Sequence, residues 1–223
     1  MKKIALLSVI ACIAFASCKR TMTNVSEVHP SSVPYVIITG PIYYSIGVGD
    51  PLPSIVATAY DTFYDHSMSN PLPVIIDNST LDNTTPGLYA VTISAKNQYG
   101  MVGTASVYIG VTSASPLLDL SGWYIRNGVP ERSSYVAKLG NGLFMTSNAG
   151  GADTTNATTG PAISAVFVVT SDTTIDFGSQ LTAYGQLGAH DQVLSLAVGD
   201  TVISYLLDNG NFSPTVPRIF HKI

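Results

Sequence analysis

The residues of this chain with acid–base or metal chemistry open to them are four histidines and fourteen carboxylates. Their spacing limits what they can do. His29, His66, His190 and His221 are scattered, with no His-x-x-x-His pair, whereas zinc sites draw on closely spaced His and Cys. Glycoside hydrolysis needs two carboxyl groups across the scissile bond. Glu27 and Glu131 are the only glutamates, so such a pair would be built mainly from aspartates. Most aspartates stand in turn contexts: Asp82 before Asn-Thr-Thr-Pro-Gly, Asp200 after a glycine, Asp208 before Asn-Gly. Short polar side chains there cap the local backbone. The densest cluster is Asp61, Asp65 and His66 in "AYDTFYDHS". Calcium takes 6–8 oxygens, and two carboxylates in a loop supply too few. No Gly-x-Ser-x-Gly elbow marks a nucleophile, and no glycine-rich phosphate cradle leads into a helix. The expectation is a protein that is not an enzyme and carries no metal and no cofactor.

Aromatic side chains are the remaining means of recognition. Sugar rings present flat C–H faces that stack on Trp, Tyr or Phe, while amides and carboxylates bind the hydroxyls. The only tryptophan, Trp123, is followed by Tyr124. Neighbours on a strand face opposite sides, so one is core and the other exposed, and the core role is favoured for Trp123. Tyr184 in "LTAYGQLGAHD" and Phe212 in "DNGNFSP" sit in turn-rich stretches suited to exposed rings. Trp123, Tyr184 and Phe212 are therefore the candidate ligand-contacting residues.

These residues need elements to position them, and an address. Met1-Lys2-Lys3 precedes a thirteen-residue apolar run, Ile4–Ala16. A stable transmembrane helix needs roughly 20 residues; a charged start, a short apolar run and a small-residue exit form a signal peptide. The exit, Phe15-Ala16-Ser17-Cys18, resembles the bacterial lipobox. That resemblance implies cleavage after Ser17 and a diacylglyceryl group on Cys18. It also accounts for cysteine usage: Cys12 leaves with the signal peptide and Cys18 carries the lipid. Several acyl chains give stable anchoring where one does not. Residues 18–33 are polar and aperiodic after the cysteine, and read as a tether with an r.m.s. reach of roughly 20 Å. Lys19, rather than Asp, follows the cysteine, so the expected address is the cell envelope, with the outer membrane favoured over the inner.

The whole chain has a net charge of −4. Loss of Lys2 and Lys3 with residues 1–17 leaves 8 basic against 14 acidic residues, or −6. Phosphate backbones need clustered Lys and Arg, so no nucleic-acid partner is expected. Charged residues are 11% of the chain, β-branched residues and turn formers abound, and no helical apolar period follows the signal segment. The fold class is all-β.

Two β domains are expected, at 34–112 and 119–223, joined by a linker at 113–118. In "GLYAVTISAK", Tyr89, Val91, Ile93 and Ala95 share one face; in "TASVYIGV", Ala105, Val107, Ile109 and Val111 do. "KNQYG" joins them as a hairpin connection. About seven short strands in 80 residues fit an Ig-like β-sandwich. "YYSIGVGDPLPSIVATAYD" with "TTPGLYAVTISAKNQYG" resembles the bacterial Ig-like domains repeated in surface proteins. The chain departs from them at Lys96-Asn97 and lacks their middle-loop Asp-Gly-Asp. The second domain opens with "LSGWYIRNG" and has a hairpin signal at Asn141-Gly142. It reads as an antiparallel meander, either a sandwich or a small lipocalin-like barrel. Asp-Thr-Thr at 153–155 and 172–174 resembles the acceptor of an envelope O-glycosylation system.

Taken whole, the layout resembles accessory lipoproteins of Gram-negative polysaccharide-utilisation systems. The resemblance implies a polysaccharide ligand and partnership with outer-membrane importer proteins. Two alternatives stand beside it: a structural or adhesive envelope protein, and a lipocalin-like carrier of an apolar ligand.

Overall fold

The computed structural model describes residues 33–62, 68–156 and 161–223, so Cys18, His29, Asp65 and His66 lie outside the described residues. The described residues contain no helix and form an all-β body of sixteen strands.

The first seven are β1 (Tyr35–Thr39), β2 (Tyr43–Gly47), β3 (Val56–Thr62), β4 (Met68–Leu72), β5 (Val74–Asp77), β6 (Gly87–Lys96) and β7 (Val102–Thr112). They make a sandwich of a three-stranded sheet, β1-β3-β4, and a four-stranded sheet, β2-β7-β6-β5. β2 runs parallel to β7, and the other pairs are antiparallel. The chain crosses from one sheet to the other at Pro73, which has no N–H to give a ladder. Period-two alternation drives the packing: Val91, Ile93, Val107 and Ile109 are buried, with Val36, Ile38, Tyr44 and Ala57 packed onto them. Tyr89 is only half-buried and donates its hydroxyl to Thr85 O at 2.9 Å, so it closes the end of the sandwich.

The remaining strands are β8 (Gly122–Arg126), β9 (Val129–Gly140), β10 (Leu143–Thr146), β11 (Ala165–Ser171), β12 (Thr174–Asp176), β13 (Gln180–Thr182), β14 (Gly185–Ala197), β15 (Asp200–Asp208) and β16 (Arg218–Lys222). They form one sheet in the order β12-β11-β10-β9-β8-β16-β15-β14-β13. Every pairing in it is antiparallel, including β8 with β16. Counting directions both ways from β8 makes β12 and β13 run the same way. They are two halves of one strand, bent at Gly178 with φ +52°. The first half pairs with β11 and the second with β14. The sheet thus curls onto itself with eight strand positions, a size at which side chains alone fill the interior.

They do fill it. Phe144, Phe167, Phe177, Tyr205 and Phe220 form a continuous aromatic column, with successive ring centroids 5.7, 5.3, 4.5 and 6.0 Å apart. The interior cavity beside them is about 10 Å³, the space of one water. A lipocalin-like carrier needs a ligand chamber there, and the aromatic column occupies it. The bend between β12 and β13 is closed by side chains. The Gln180 amide donates to Val166 O at 2.8 Å and Phe177 O at 2.7 Å, and its Oε1 accepts from Val166 N at 2.9 Å. Gln192 Oε1 accepts from Phe177 N at 2.8 Å.

The sandwich packs against this curled sheet. Leu88, Leu143, Val166 and Val168 are buried together, with Tyr43, Tyr108 and Met145 around them. A Cβ on Gly110 would come within 2.8 Å of Leu143, so a glycine is what lets the sheets approach. Leu88 N donates to Asp176 Oδ2 at 2.8 Å, and Leu181 N donates to the Tyr108 hydroxyl at 3.0 Å. The connecting segment 113–118 is tied down. Ser113 Oγ donates to Thr170 O at 2.7 Å, Ala114 joins the barrel core, and Lys138 Nζ donates to Pro116 O and Leu118 O at 3.2 and 2.8 Å.

Candidate functional site

At one end of the curled sheet, loops carrying Asp153, Thr154, Thr155, Pro161, Ala162, Tyr184 and Asn211 surround an open cleft of about 770 Å³. Two buried asparagines hold its walls. Asn148 donates to Ser133 O and Ala152 O at 3.0 and 2.8 Å, and its Oδ1 accepts from Ala152 N at 3.0 Å. Asn209 donates to Tyr184 O and Gln186 O at 3.3 and 2.8 Å, and its Oδ1 accepts from Asn211 N at 2.9 Å. Each replaces a sheet ladder with side-chain bonds to loop backbone, the local competition that makes Asn a loop organiser. Thr154 donates N–H and hydroxyl to Glu131 O at 2.9 and 3.1 Å, fixing the loop to the start of β9.

The cleft surface mixes one ring with polar groups. Tyr184 is 46% exposed. Asp153 accepts from Thr155 N and Oγ1 at 2.8 and 2.7 Å. Those bonds hold its carboxyl below the ordinary aspartate range, and nearby Arg132 adds to the effect. A carboxylate, threonine hydroxyls and an amide can bind hydroxyls in either direction, and the tyrosine ring offers an apolar face. No group of three or more metal-ligating side chains occurs among the described residues.

Two arginines that residue type alone would put on the surface are buried against the loops that lead into the cleft. Arg126 is 8% exposed and Arg218 4%. Arg126 donates through Nη1 to Gly150 O and Gly151 O at 3.1 and 3.3 Å, and Nη2 lies 3.4 Å from Pro217 O. Arg218 Nη1 donates to Ser213 O at 3.0 Å and to Val216 O. Burial lowers the proton affinity of both, and for Arg126 repulsion from Arg218 and Arg132 lowers it further. The described ion pairs are His190–Asp208 at 3.0 Å and His221–Asp200 at 3.2 Å, and neither buried guanidinium has a carboxylate partner among the described residues. The signal for Arg126 was present in the sequence: it stands two residues after Tyr124, on the same strand face.

The three aromatic candidates separate. Tyr184 lines the cleft. Phe212 is half-buried rather than an exposed platform, because its ring covers the Arg218 guanidinium at 5.4 Å and packs on Gly150. A Cβ at Gly150 would lie 2.5 Å from that ring. Trp123 reverses the favoured assignment: it is 52% exposed, while Tyr124 is fully buried and donates to Leu120 O at 2.9 Å. Trp123 meets Tyr135 edge to face at 5.3 Å on the outer surface and does not line the cleft. Asp82 acts locally, as expected, whereas Asp208 and Asp200 pair across strands with His190 and His221 instead of capping a turn. Asp82 accepts from Thr84 N, Thr84 Oγ1 and Thr85 Oγ1 at 2.9, 2.6 and 2.7 Å.

No protein-family model matches the chain, and no curated protein matches it. Among solved structures it is similar to a lipoprotein of Bacteroides thetaiotaomicron, at 19% identity and a TM-score of 0.36, over 85% of this chain and all of that one.

Proposed function

We propose that this is a non-enzymatic, lipid-anchored cell-envelope protein that binds glycan in the cleft at the end of its curled sheet. The sandwich serves as an Ig-like spacer, and Cys18 carries the anchor, on an outer membrane and beside the importer proteins of a polysaccharide-uptake system. The observation that carries the reading is the cleft itself. At about 770 Å³ it has the size of a small-molecule site, offers a ring beside hydroxyl-binding groups, and its walls are held by buried Asn148 and Asn209. Pre-set walls reduce the ordering cost of binding.

The test is retention of the chain from residue 19 onward by a panel of immobilised and soluble polysaccharides, beside Tyr184→Ala and Asn211→Ala. Loss of one stacking ring should weaken retention roughly tenfold, the effect of about 1.4 kcal/mol. Trp123→Ala should bind as the parent does. Absence of retention across a broad panel would end the glycan reading.

A structural or adhesive role is the second reading, and the exposed Trp123–Tyr135 pair favours it. Exposed paired aromatics are enriched where proteins meet. Glycan retention that depends on Tyr184 and not on Trp123 would separate the two.

A further inference from the structure

The chain has four arginines, and three of them, Arg126, Arg132 and Arg218, gather at the cleft end of the curled sheet. Arg126 and Arg218 project from the inner face of adjacent strands, diagonal to one another across the β8–β16 pair, where Phe220 faces Arg126. Backbone carbonyls take part of their hydrogen-bonding capacity. The Nε atoms of both are buried and have no acceptor among the described residues. Asp153 accepts from Thr155 and lies close enough to Arg132 to feel its charge, while Asp208 pairs with His190. Two positive charges, more than nine-tenths buried, therefore lie without a carboxylate partner among the described residues, against the loop backbone that leads into Asp153 and beneath the Phe212 ring beside Asn211. A buried charge is costly unless paired, and an anion held in the neighbouring cleft would relieve that cost through the field the two guanidiniums set up there.

We infer that the ligand of this cleft is anionic, a glycan bearing carboxylate or sulfate groups, with Arg126, Arg132 and Arg218 supplying the counter-charge. This rests on the glycan-binding reading and narrows it to a chemical class. The remainder of the molecule works against a polyanion, since the chain is net −4. Binding of a polyanion would then be a property of this end and not of general attraction. Asp153 in the same wall sets a limit on charge density, so a uronate with one carboxylate per sugar suits the site better than a heavily sulfated chain.

The experiment compares polygalacturonate, the same polymer with its carboxylates reduced to alcohols, and dextran, using the chain from residue 19 onward. Carboxyl reduction leaves the protein untouched, so no folding defect can mimic the result. Retention of polygalacturonate that falls at least tenfold on carboxyl reduction, and weakens with added salt, is the expected outcome. Arg132→Gln, a change at a strand residue that is not one of the two buried guanidiniums, should weaken uronate retention and leave the thermal midpoint in place. Equal retention of the reduced polymer or of dextran would overturn the anionic assignment and leave the glycan reading standing. Retention of no polysaccharide would overturn both.

Discussion

Gln180 offers the sharpest test of how the curled sheet closes. Its amide makes three bonds of 2.7–2.9 Å to the backbone of Val166 and Phe177 across the bend, in place of a strand ladder. The side chain is 4% exposed, so no bulk water waits to replace it. Gln180→Ala removes all three bonds, each with a net value of about 1 kcal/mol. It also strands Val166 N, Val166 O and Phe177 O in a buried setting, and a dry unsatisfied group costs about 1–3 kcal/mol. Partial hydration of the vacated space keeps the total below the sum, so the expected loss is about 3–5 kcal/mol. For a chain of this size that lowers the thermal midpoint by roughly 6–20 °C. Urea unfolding followed by far-ultraviolet circular dichroism gives the loss directly, and hydrogen exchange at Val166 N–H should speed up by at least a comparable factor. Gln186→Ala, an exposed glutamine on β14, should stay within about 0.5 kcal/mol of the parent. A Gln180→Ala loss below about 1 kcal/mol would refute the claim that this side chain substitutes for backbone pairing.

Two further outcomes follow from buried geometry. Gly178→Ala would place a Cβ 2.3 Å from Leu88 O at a φ of +52°; left-handed strain and the clash together should cost about 2–5 kcal/mol in urea unfolding, and a variant as stable as the parent would disprove the fit at the bend. Burial pushes the Tyr124 and Tyr205 hydroxyls well above the ordinary phenol range. Above about pH 10 the unfolded chain then holds fewer protons than the folded one, so stability is intact below that pH and falls as pH rises, by about 1.4 kcal/mol per unit for each tyrosine. Urea midpoints between about pH 9 and about pH 11 should show this slope, and Tyr205→Phe should flatten it by about half; an unchanged slope would refute the assignment.

The strands were legible because their cause is local. β6 and β7 alternate apolar and polar residues, the Asn97–Met101 connection closes their hairpin, and Gly142 at φ +62° supports the turn foreseen between β9 and β10. What failed was anything set by packing between distant segments. Alternation states that Trp123 and Tyr124 face apart, yet only the inner volume of the curled sheet decides that Tyr124, which can reach Leu120 O, takes the inside. Phe212 was expected to be exposed because Asn, Gly and Ser surround it; those residues let its loop fold back over Arg218. Tyr108 and Gly110 lie on the face opposite the sandwich core, and only the docked curled sheet explains why that face is covered. Of the cleft, Tyr184 was foreseen. Asp153, Thr154, Thr155 and Asn211 come from loops nearly sixty residues apart, and no short-range pattern joins them.

The pairing of β8 with β16 has a bearing on the order in which the two halves of the molecule assemble. Phe220 is registered against Arg126, so the strand that opens the curled sheet waits for a partner synthesised about 95 residues later. Closing so long a loop makes such pairings slow relative to hairpins. Strands β9–β11 can fold locally, but β8 keeps one bare edge until β16 arrives. The curled sheet therefore completes itself only once the last strand of the chain is present, whereas the sandwich, whose strands all lie within the first half, does not wait for it.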